Sequence, residues 1–160
     1  MGIIEIVFWI SIGLIIYSTI IYLLLLKVFK HKKYVIDEKY LPSITLIICA
    51  YNEEKNILKK LINVQELEYP SEKMQVILAD DGSDDGTVKI AKNFKFVNIL
   101  SLDRLGKTNA QNEAAKVAEN EILVFSDANS IYRSNALKKL VRNFSDEKVG
   151  VVCGELRYHE

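Results

Sequence analysis

The hydrophobic positions of this chain form one unbroken block near the amino terminus, followed by a periodic pattern. From Ile6 to Leu26 the sequence reads IVFWISIGLIIYSTIIYLLLL, without a single charged side chain. Because an α-helix rises about 1.5 Å per residue, a run of this length spans the roughly 30 Å hydrocarbon core of a bilayer. The block therefore predicts a transmembrane helix. Its hydroxyl groups are tolerable there if they return hydrogen bonds to backbone carbonyls of the same helix, which we expect of Ser11, Ser18 and Thr19.

The charges that flank the block predict its orientation. Glu5 precedes it, whereas lysines follow it at positions 27, 30, 32 and 33. The positive-inside rule then places everything after Lys33 in the cytoplasm, with the helix in the plasma membrane. A cleaved signal peptide would need a basic start, a shorter apolar core and a small-residue cleavage site, and this sequence has none of them. A buried core helix is the other alternative, and so long an uncharged run disfavours it.

After the block, short aliphatic runs alternate with segments of helical periodicity. The run from Ile44 to Cys49 is typical of a strand buried on both faces. Five strands are predicted, at 44–49, 74–79, 96–100, 121–125 and 149–153. The predicted helices lie at 53–67, 84–94, 107–118 and 135–144, the second of them capped by Asp84 or Thr87. This alternation predicts an α/β domain with right-handed crossovers and a mostly parallel sheet.

The chain thus divides into an N-terminal anchor with its basic flank (1–33), a linker (34–41) and one domain (42–160). Its 160 residues include 21 basic and 21 acidic side chains, and this neutral balance argues against a nucleic-acid-binding protein. Cys49 and Cys153 lie far apart in apolar runs, without metal-ligand spacing. We interpret them as reduced core residues rather than a disulfide.

Polar clusters follow three of the predicted strands. They are Tyr51–Glu54 after the first strand, Asp80–Thr87 after the second and Ser126–Asn129 after the fourth. Parallel sheets bind ligands at the carboxyl ends of their strands, so all three clusters are expected along one edge. Carboxylates gathered there repel one another unless a cation or a donor-rich ligand joins them.

The residue types at this edge predict a nucleotide site with a metal ion. Asp127 and Asn129 offer hard oxygen ligands for Mg²⁺ or Mn²⁺. Arg104 and Lys107, at the start of a predicted helix, are suited to a diphosphate. The pair Asp80–Asp81 can accept hydrogen bonds from a base or a ribose. Taken singly, these residues have simpler interpretations: turn-forming Asp and Gly, a solvated Lys107 and a packed Tyr51.

In these segments the chain resembles the family 2 inverting glycosyltransferases, which have the nucleotide-sugar-binding GT-A fold. The segments that carry the resemblance are PSITLIICAYNEEKNI (42–57), LADDGSDDGT (78–87), DRLGKTNAQNEAA (103–115) and ILVFSDANSIY (122–132). An N-terminal membrane helix is similar to that of family members that make polysaccharides or glycolipids.

The resemblance implies a donor substrate, the residues that would bind it and a class of acceptor. The donor would be a nucleoside-diphosphate sugar, in particular a UDP-sugar, and the acceptor a polysaccharide or a lipid. Tyr51 and Glu53 would flank the uracil or ribose, Asp81 would bond the base with Asp80 supporting it, and Arg104 and Lys107 would face the base or diphosphate. Asp127 would ligate the metal, and an acceptor hydroxyl would displace the nucleoside diphosphate directly.

The sequence departs from the family pattern in two places. Asn129 stands where the DxD motif has its second acidic residue, so it brings a carbonyl ligand without a charge. The family's general base is a carboxylate in a later segment, in some members with a Gln-x-x-Arg-Trp motif, and we expect it beyond Glu160. Glu155 and Glu160 are not credible substitutes. The chain is therefore interpreted as the donor-binding part of a longer glycosyltransferase, or as a truncated product of one.

Three alternatives remain. A receiver-type phosphotransfer switch would need a phosphorylatable Asp at the end of the middle strand, and here Asp-Asp ends the second strand instead. An Asp-x-Asp-Gly-Thr phosphatase would need its nucleophilic Asp where Ser83 stands. The third alternative is a membrane-tethered scaffold that folds but binds no donor.

Overall fold

The computed structural model describes residues 2–28 and 35–155. The lysines predicted to orient the membrane helix at positions 30, 32 and 33 lie outside these residues, as does Glu160. By their internal contacts the described residues fall into two compact units, 2–28 and 35–155.

The first unit is one apolar helical segment. It consists of α1 (Ile3–Ile16), a π-helical turn (Tyr17–Ile21) and α2 (Tyr22–Val28). The stretch Ile3–Lys27 is long and apolar enough to cross a membrane. The predicted hydroxyl contacts are confirmed: Ser11 Oγ donates to Val7 O at 2.9 Å, and Ser18 Oγ and Thr19 Oγ1 both donate to Ile15 O, at 3.1 and 2.6 Å.

The second unit is built on a four-stranded parallel sheet. Its strands are β1 (Ile44–Ala50), β2 (Met74–Asp80), β3 (Val97–Ser101) and β4 (Ile122–Asp127), in the order β3-β2-β1-β4. The central strand β1 is buried on both faces, as its continuous aliphatic run predicts. The predicted α/β class with a mostly parallel sheet is confirmed.

Helices cover both faces of this sheet. They are α3 (Glu54–Gln65), α4 (Thr87–Ala91), α5 (Lys107–Lys116) and α6 (Ala136–Val141), with short 3₁₀ turns at Ser71–Lys73 and Arg142–Ser145. Helices α3, α4 and α6 pack on the face that carries Leu46 and Ile48. Helix α5 packs its small residues Ala110 and Ala114 on the other face, against Ile47 and Ile77. This alternation of side chains from β1 fixes where the two layers sit.

Three details of the sequence prediction are wrong. Residues 149–153 form no strand, because this apolar run pairs with no strand of the described domain, and Val151 is 88% exposed. Cys153 in that run is consequently exposed, whereas Cys49 is half-buried, and both are free thiols. Neither Asp84 nor Thr87 caps α4: Gly86 occupies the N-cap position, and Asp85 Oδ1 accepts the N–H of Thr87 at 2.9 Å.

The strand register aligns the polar clusters along one edge of the sheet. Ala50 pairs with Asp80, and Cys49 pairs with Asp127. The chain crosses from β1 to β2 on one side and returns to β4 on the other, so the strand order reverses beside β1. A crevice opens at such a reversal, outside the carboxyl ends of the strands.

Candidate functional site

A cavity of about 370 Å³ lies at this reversal. Six of the eight residues predicted from the sequence line it, namely Tyr51, Glu53, Asp81, Lys107, Asp127 and Asn129. They come from the loop after β1, the end of β2, the start of α5 and the end of β4. The other two, Asp80 and Arg104, lie directly beside lining residues. The predicted residues therefore converge on one volume.

Asp81 is the anchor of the segment that leads into α5. Its Oδ1 accepts the backbone N–H groups of Leu105 (3.0 Å) and Gly106 (3.1 Å), and its Oδ2 accepts that of Gly106 at 3.0 Å. Two glycines permit this approach. Gly82 has φ of 76°, and a Cβ there would lie 3.2 Å from the backbone nitrogen of Arg104, while Gly106 has φ of 95°.

Asp80 is buried behind Asp81, with only 2% of its surface exposed. Its Oδ2 accepts the N–H of Ser83 at 3.2 Å. Its Oδ1 has no hydrogen-bond partner among the described residues. A buried carboxylate oxygen without a donor is costly.

Arg104 lies over the ring of Tyr51. The guanidinium carbon is 3.7 Å from the ring centroid, and Nη1 donates a hydrogen bond to the phenolic oxygen. A planar guanidinium stacked on an aromatic face forms a cation–π contact. The pair forms a flat, cationic wall next to Asp81. Glu53, the N-cap residue of α3, turns its own carboxylate to Asn56 Nδ2 at 2.6 Å.

Lys107 and Asp127 form an ion pair across the cavity. Lys107 Nζ lies 2.5 Å from Asp127 Oδ1, and both side chains are at least half exposed. The hydrogen bond to Asp127 raises the pKa of Lys107 above its ordinary value. So exposed a pair contributes little stability, and its two charges are available to a ligand of matching charge.

A tight turn presents the two candidate metal ligands. Ser130 N–H donates to Asp127 O at 3.2 Å, and Ala128 between the two ligands is buried, so Asp127 and Asn129 stand out towards the cavity. No cluster of three or more His, Cys, Asp or Glu side chains exists within 2–28 and 35–155. Two hard oxygen ligands fit Mg²⁺ or Mn²⁺, since such ions commonly take one or two protein oxygens and complete their shell with phosphates and water.

Asn52, which the sequence reasoning did not single out, joins the first two polar loops. Its Nδ2 donates to Asp84 Oδ1 at 2.7 Å, its Oδ1 accepts Asp84 N–H at 3.0 Å, and its own N–H donates to Ser83 Oγ at 2.9 Å. Its φ of 52° is left-handed, a conformation that asparagine tolerates better than most residues. Asn52 therefore ties the loop after β1 to the Ser83–Asp84 segment of the loop after β2.

We expect Asn52→Ala to lower the free energy of unfolding by about 1–3 kcal/mol, because two side-chain hydrogen bonds are lost and alanine is disfavoured at positive φ. Chemical denaturation of the full chain in detergent checks this value. Asn56→Ala is the matched control, since it removes an exposed contact within one helix turn. Equal stability of the Asn52 and Asn56 variants would contradict the assignment.

Lys60 is a second residue that the sequence did not reveal. It lies on α3 with none of its surface exposed, although it resembles its exposed neighbours Lys55 and Lys59 in sequence. Its Nζ donates to Ser126 Oγ at 2.7 Å and to Ser130 O at 2.8 Å. Burial lowers the pKa of Lys60 to about 8, and the charge of Asp127 opposes this shift.

This lowered pKa predicts a pH dependence of stability. Between pH 8 and 10.5 the unfolded lysine keeps its proton while the folded lysine has lost it, so the folded state gains stability as pH rises. Relative to Lys60→Met, the wild-type chain should gain on the order of 1–3 kcal/mol across this window. Denaturation of both proteins at pH 7 and 10 measures it. A difference independent of pH would show that Lys60 titrates normally.

Comparison with known proteins agrees with this geometry. Residues 45–160 match the model of Glycosyl transferase family 2. The chain belongs to this family. Proteins from Staphylococcus aureus named poly-beta-1,6-N-acetyl-D-glucosamine synthase are 35% identical over 132 residues, which is 79% of this chain and 32% of theirs. The chain thus spans about a third of the length of these relatives.

Solved structures share the fold. The mannosyltransferase PcManGT from Pyrobaculum calidifontis, in complex with GDP-Man and Mn²⁺, matches with a TM-score of 0.70 and 31% identity, over 77% of this chain and 38% of that one. TarS 1-349 from S. aureus in complex with UDP-GlcNAc matches with a TM-score of 0.58 and 26% identity, over 61% and 29% of the two chains. The predicted GT-A fold is confirmed by these neighbours.

Proposed function

We propose that this chain carries the donor-binding part of a membrane-anchored glycosyltransferase. The enzyme transfers a sugar from a nucleoside-diphosphate sugar, in particular a UDP-sugar, to a polysaccharide or lipid acceptor. The observation that carries the proposal is the cavity at the strand-order reversal, where acidic, basic and aromatic side chains from separate loops meet. The names of the similar proteins, a polysaccharide synthase and two nucleotide-sugar complexes, agree with this class.

The nucleoside end of the donor is assigned to the carboxylates after β2. The carboxylate of Asp81 lines the cavity and is an acceptor for the N–H of a base or the hydroxyls of a ribose, and Asp80 lies buried behind it as its support. The ring of Tyr51 offers a flat surface for a base, with Glu53 beside it. Arg104 covers that ring, so binding of a base there exchanges one stacked partner for another.

The diphosphate is assigned to the other end of the cavity. Lys107, at the first residue of α5, lies beside the backbone N–H groups of a helix start, an arrangement that favours anions. Asp127 and Asn129 would hold a divalent cation. When bound, that cation stabilises the negative charge of the departing nucleoside diphosphate. With Asp127 engaged by the cation, Lys107 would be free to pair with the phosphate oxygens.

The reaction itself is proposed to invert the sugar's configuration. An acceptor hydroxyl attacks the anomeric carbon, the bond between that carbon and the diphosphate oxygen breaks, and the nucleoside diphosphate leaves. A general base must take the hydroxyl proton. We assign that role to no residue of the described range.

The apolar helix Ile3–Lys27 is proposed as the membrane anchor. It is uncharged from Ile6 to Leu26 and none of its residues is buried, so a bilayer is the environment that suits it. Lys27 at its end agrees with a cytoplasmic location of the following domain.

Titration calorimetry of the full chain in detergent tests the donor assignment. UDP, GDP and CDP are each titrated with Mn²⁺ present and with EDTA. We expect UDP to bind most tightly and Mn²⁺ to strengthen its binding. If no nucleotide binds under either condition, the donor assignment is wrong and a membrane-tethered scaffold becomes the better interpretation.

A further inference from the structure

Helix α3 is hydrogen-bonded to the turn that carries the candidate metal ligands. Lys60 Nζ donates at once to Ser126 Oγ and Ser130 O, at 2.7 and 2.8 Å. These two acceptors stand on either side of Asp127 and Asn129 in the chain. One ammonium group therefore ties together both ends of the turn from beneath, while Asp127 and Asn129 line the cavity.

A second pair of contacts holds the following residues of the same segment. Lys60 Nζ lies 4.1 Å from the centroid of the Tyr132 ring. Asn63, one turn further along α3, accepts Tyr132 N–H and donates to Tyr132 O, both at 2.8 Å. The Asn63 hydrogen bonds lie five residues beyond Asp127, whereas the two Lys60 hydrogen bonds go to residues on either side of Asp127. The two side chains can thus be compared by mutation.

The burial of Lys60 is expensive unless its donors are used. An ammonium group taken out of water loses several kcal/mol of hydration, and only well-placed acceptors or a ring face restore part of it. A methionine would fill the same space without this cost. A methionine, however, cannot donate the two hydrogen bonds by which Lys60 Nζ holds Ser126 Oγ and Ser130 O.

We propose that Lys60 is a positioning residue for the metal site, holding the Ser126–Ser130 turn so that Asp127 and Asn129 present their oxygens to one divalent cation. The proposal deepens the proposed function and rests on it. Lys60 is fully buried and does not line the cavity. It acts through the geometry of the turn, so its loss should weaken metal binding while nucleoside recognition at Asp80 and Asp81 persists.

Electron paramagnetic resonance of Mn²⁺ tests the proposal through binding alone. The full chain in detergent is titrated with Mn²⁺ at saturating UDP, and UDP affinity in EDTA is measured by calorimetry. For Lys60→Met we expect the Mn²⁺ dissociation constant to rise about 10- to 100-fold, the usual effect of losing a residue that orients a ligand. UDP affinity in EDTA should stay within about twofold of wild type, because no Lys60 contact reaches the nucleoside end.

Two further variants make the result decisive. Asn63→Ala removes the two hydrogen bonds between Asn63 and Tyr132, leaves the Lys60 contacts in place, and should leave Mn²⁺ affinity at the wild-type value. Ser126→Ala removes one acceptor of Lys60, together with the hydrogen bond of 3.3 Å that Ser126 Oγ donates to Asp127 O, and it should raise the Mn²⁺ dissociation constant by roughly two- to tenfold. This variant decides the matter if Lys60→Met does not fold.

Several results would overturn the proposal. One is unchanged Mn²⁺ affinity in Lys60→Met, or in Ser126→Ala where the former does not fold. Another is an equal loss in Asn63→Ala, which would indicate general loosening rather than positioning. If the wild-type chain binds no UDP, the proposed function fails and this proposal fails with it. If the wild-type chain binds UDP and Mn²⁺ but the Lys60 variants do not behave as expected, only the role of Lys60 is refuted and the proposed function stands.

Discussion

Asp127→Ala is expected to abolish the strengthening of UDP binding by Mn²⁺. Asp127 supplies the single carboxylate of the candidate metal site, and Asn129 beside it brings no charge. Removing it leaves one amide oxygen, which is too weak a ligand to hold the ion. We expect a loss of about 100-fold or more in Mn²⁺ affinity, exceeding the 10- to 100-fold usual for outer ligand contacts. Calorimetry with UDP in Mn²⁺ and in EDTA measures the metal-dependent and the metal-independent parts of UDP binding.

The same substitution should spare binding in EDTA, or slightly improve it. Lys107 loses its ion-pair partner and becomes free to meet the diphosphate. Glu113→Ala is the matched control, because it removes a carboxylate from α5 that pairs with Lys116 rather than facing the cavity. A variant at Asp127 that still responds to Mn²⁺ like wild type would rule out the metal assignment.

Asp81→Asn is expected to weaken UDP binding equally with and without Mn²⁺. The Asp81 carboxylate accepts three backbone hydrogen bonds from Leu105 and Gly106 and is 7% exposed. An amide nitrogen in place of one oxygen would point a donor at the N–H of Gly106. The loss of this acceptor for the base or ribose costs about 1–3 kcal/mol of binding free energy, which corresponds to a rise of roughly 5- to 150-fold in the dissociation constant.

The comparison of Asp81→Asn with Asp127→Ala separates the two ends of the cavity. Asp81→Asn should weaken UDP binding both in EDTA and in Mn²⁺, whereas Asp127→Ala should remove only the gain in UDP affinity that Mn²⁺ provides. Circular dichroism of both variants checks that the fold persists. If Asp81→Asn changes only the Mn²⁺ response, the nucleoside does not bind at the end of β2.

The sheet could be predicted because each strand has a distinct local signature. Ile44–Ala50 and Met74–Asp80 are mostly apolar runs that lead into polar clusters, and runs of this kind are buried where helices cover both faces of a sheet. The run at 149–153 has the same composition but forms no strand. Pairing depends on a neighbouring strand, which local sequence does not specify.

The site could be predicted in position but not in its internal contacts. Parallel strands bring their carboxyl ends together, so residues that follow them must meet. Which side chains pair is decided by tertiary approach: Gly82 lets Asp81 reach the amides before α5, and α5 then carries Lys107 to Asp127. Lys60 escaped notice because three lysines on one helix look alike until packing buries one of them.

The most direct test of the central claim is an experimental structure of the full chain with UDP and Mn²⁺. We predict one nucleotide in the cavity, with its base at Asp80 and Asp81, its phosphates at Lys107, and the metal bound to Asp127. A nucleotide located elsewhere, or one that reaches Asp81 while the metal lies far from Asp127, would contradict the account.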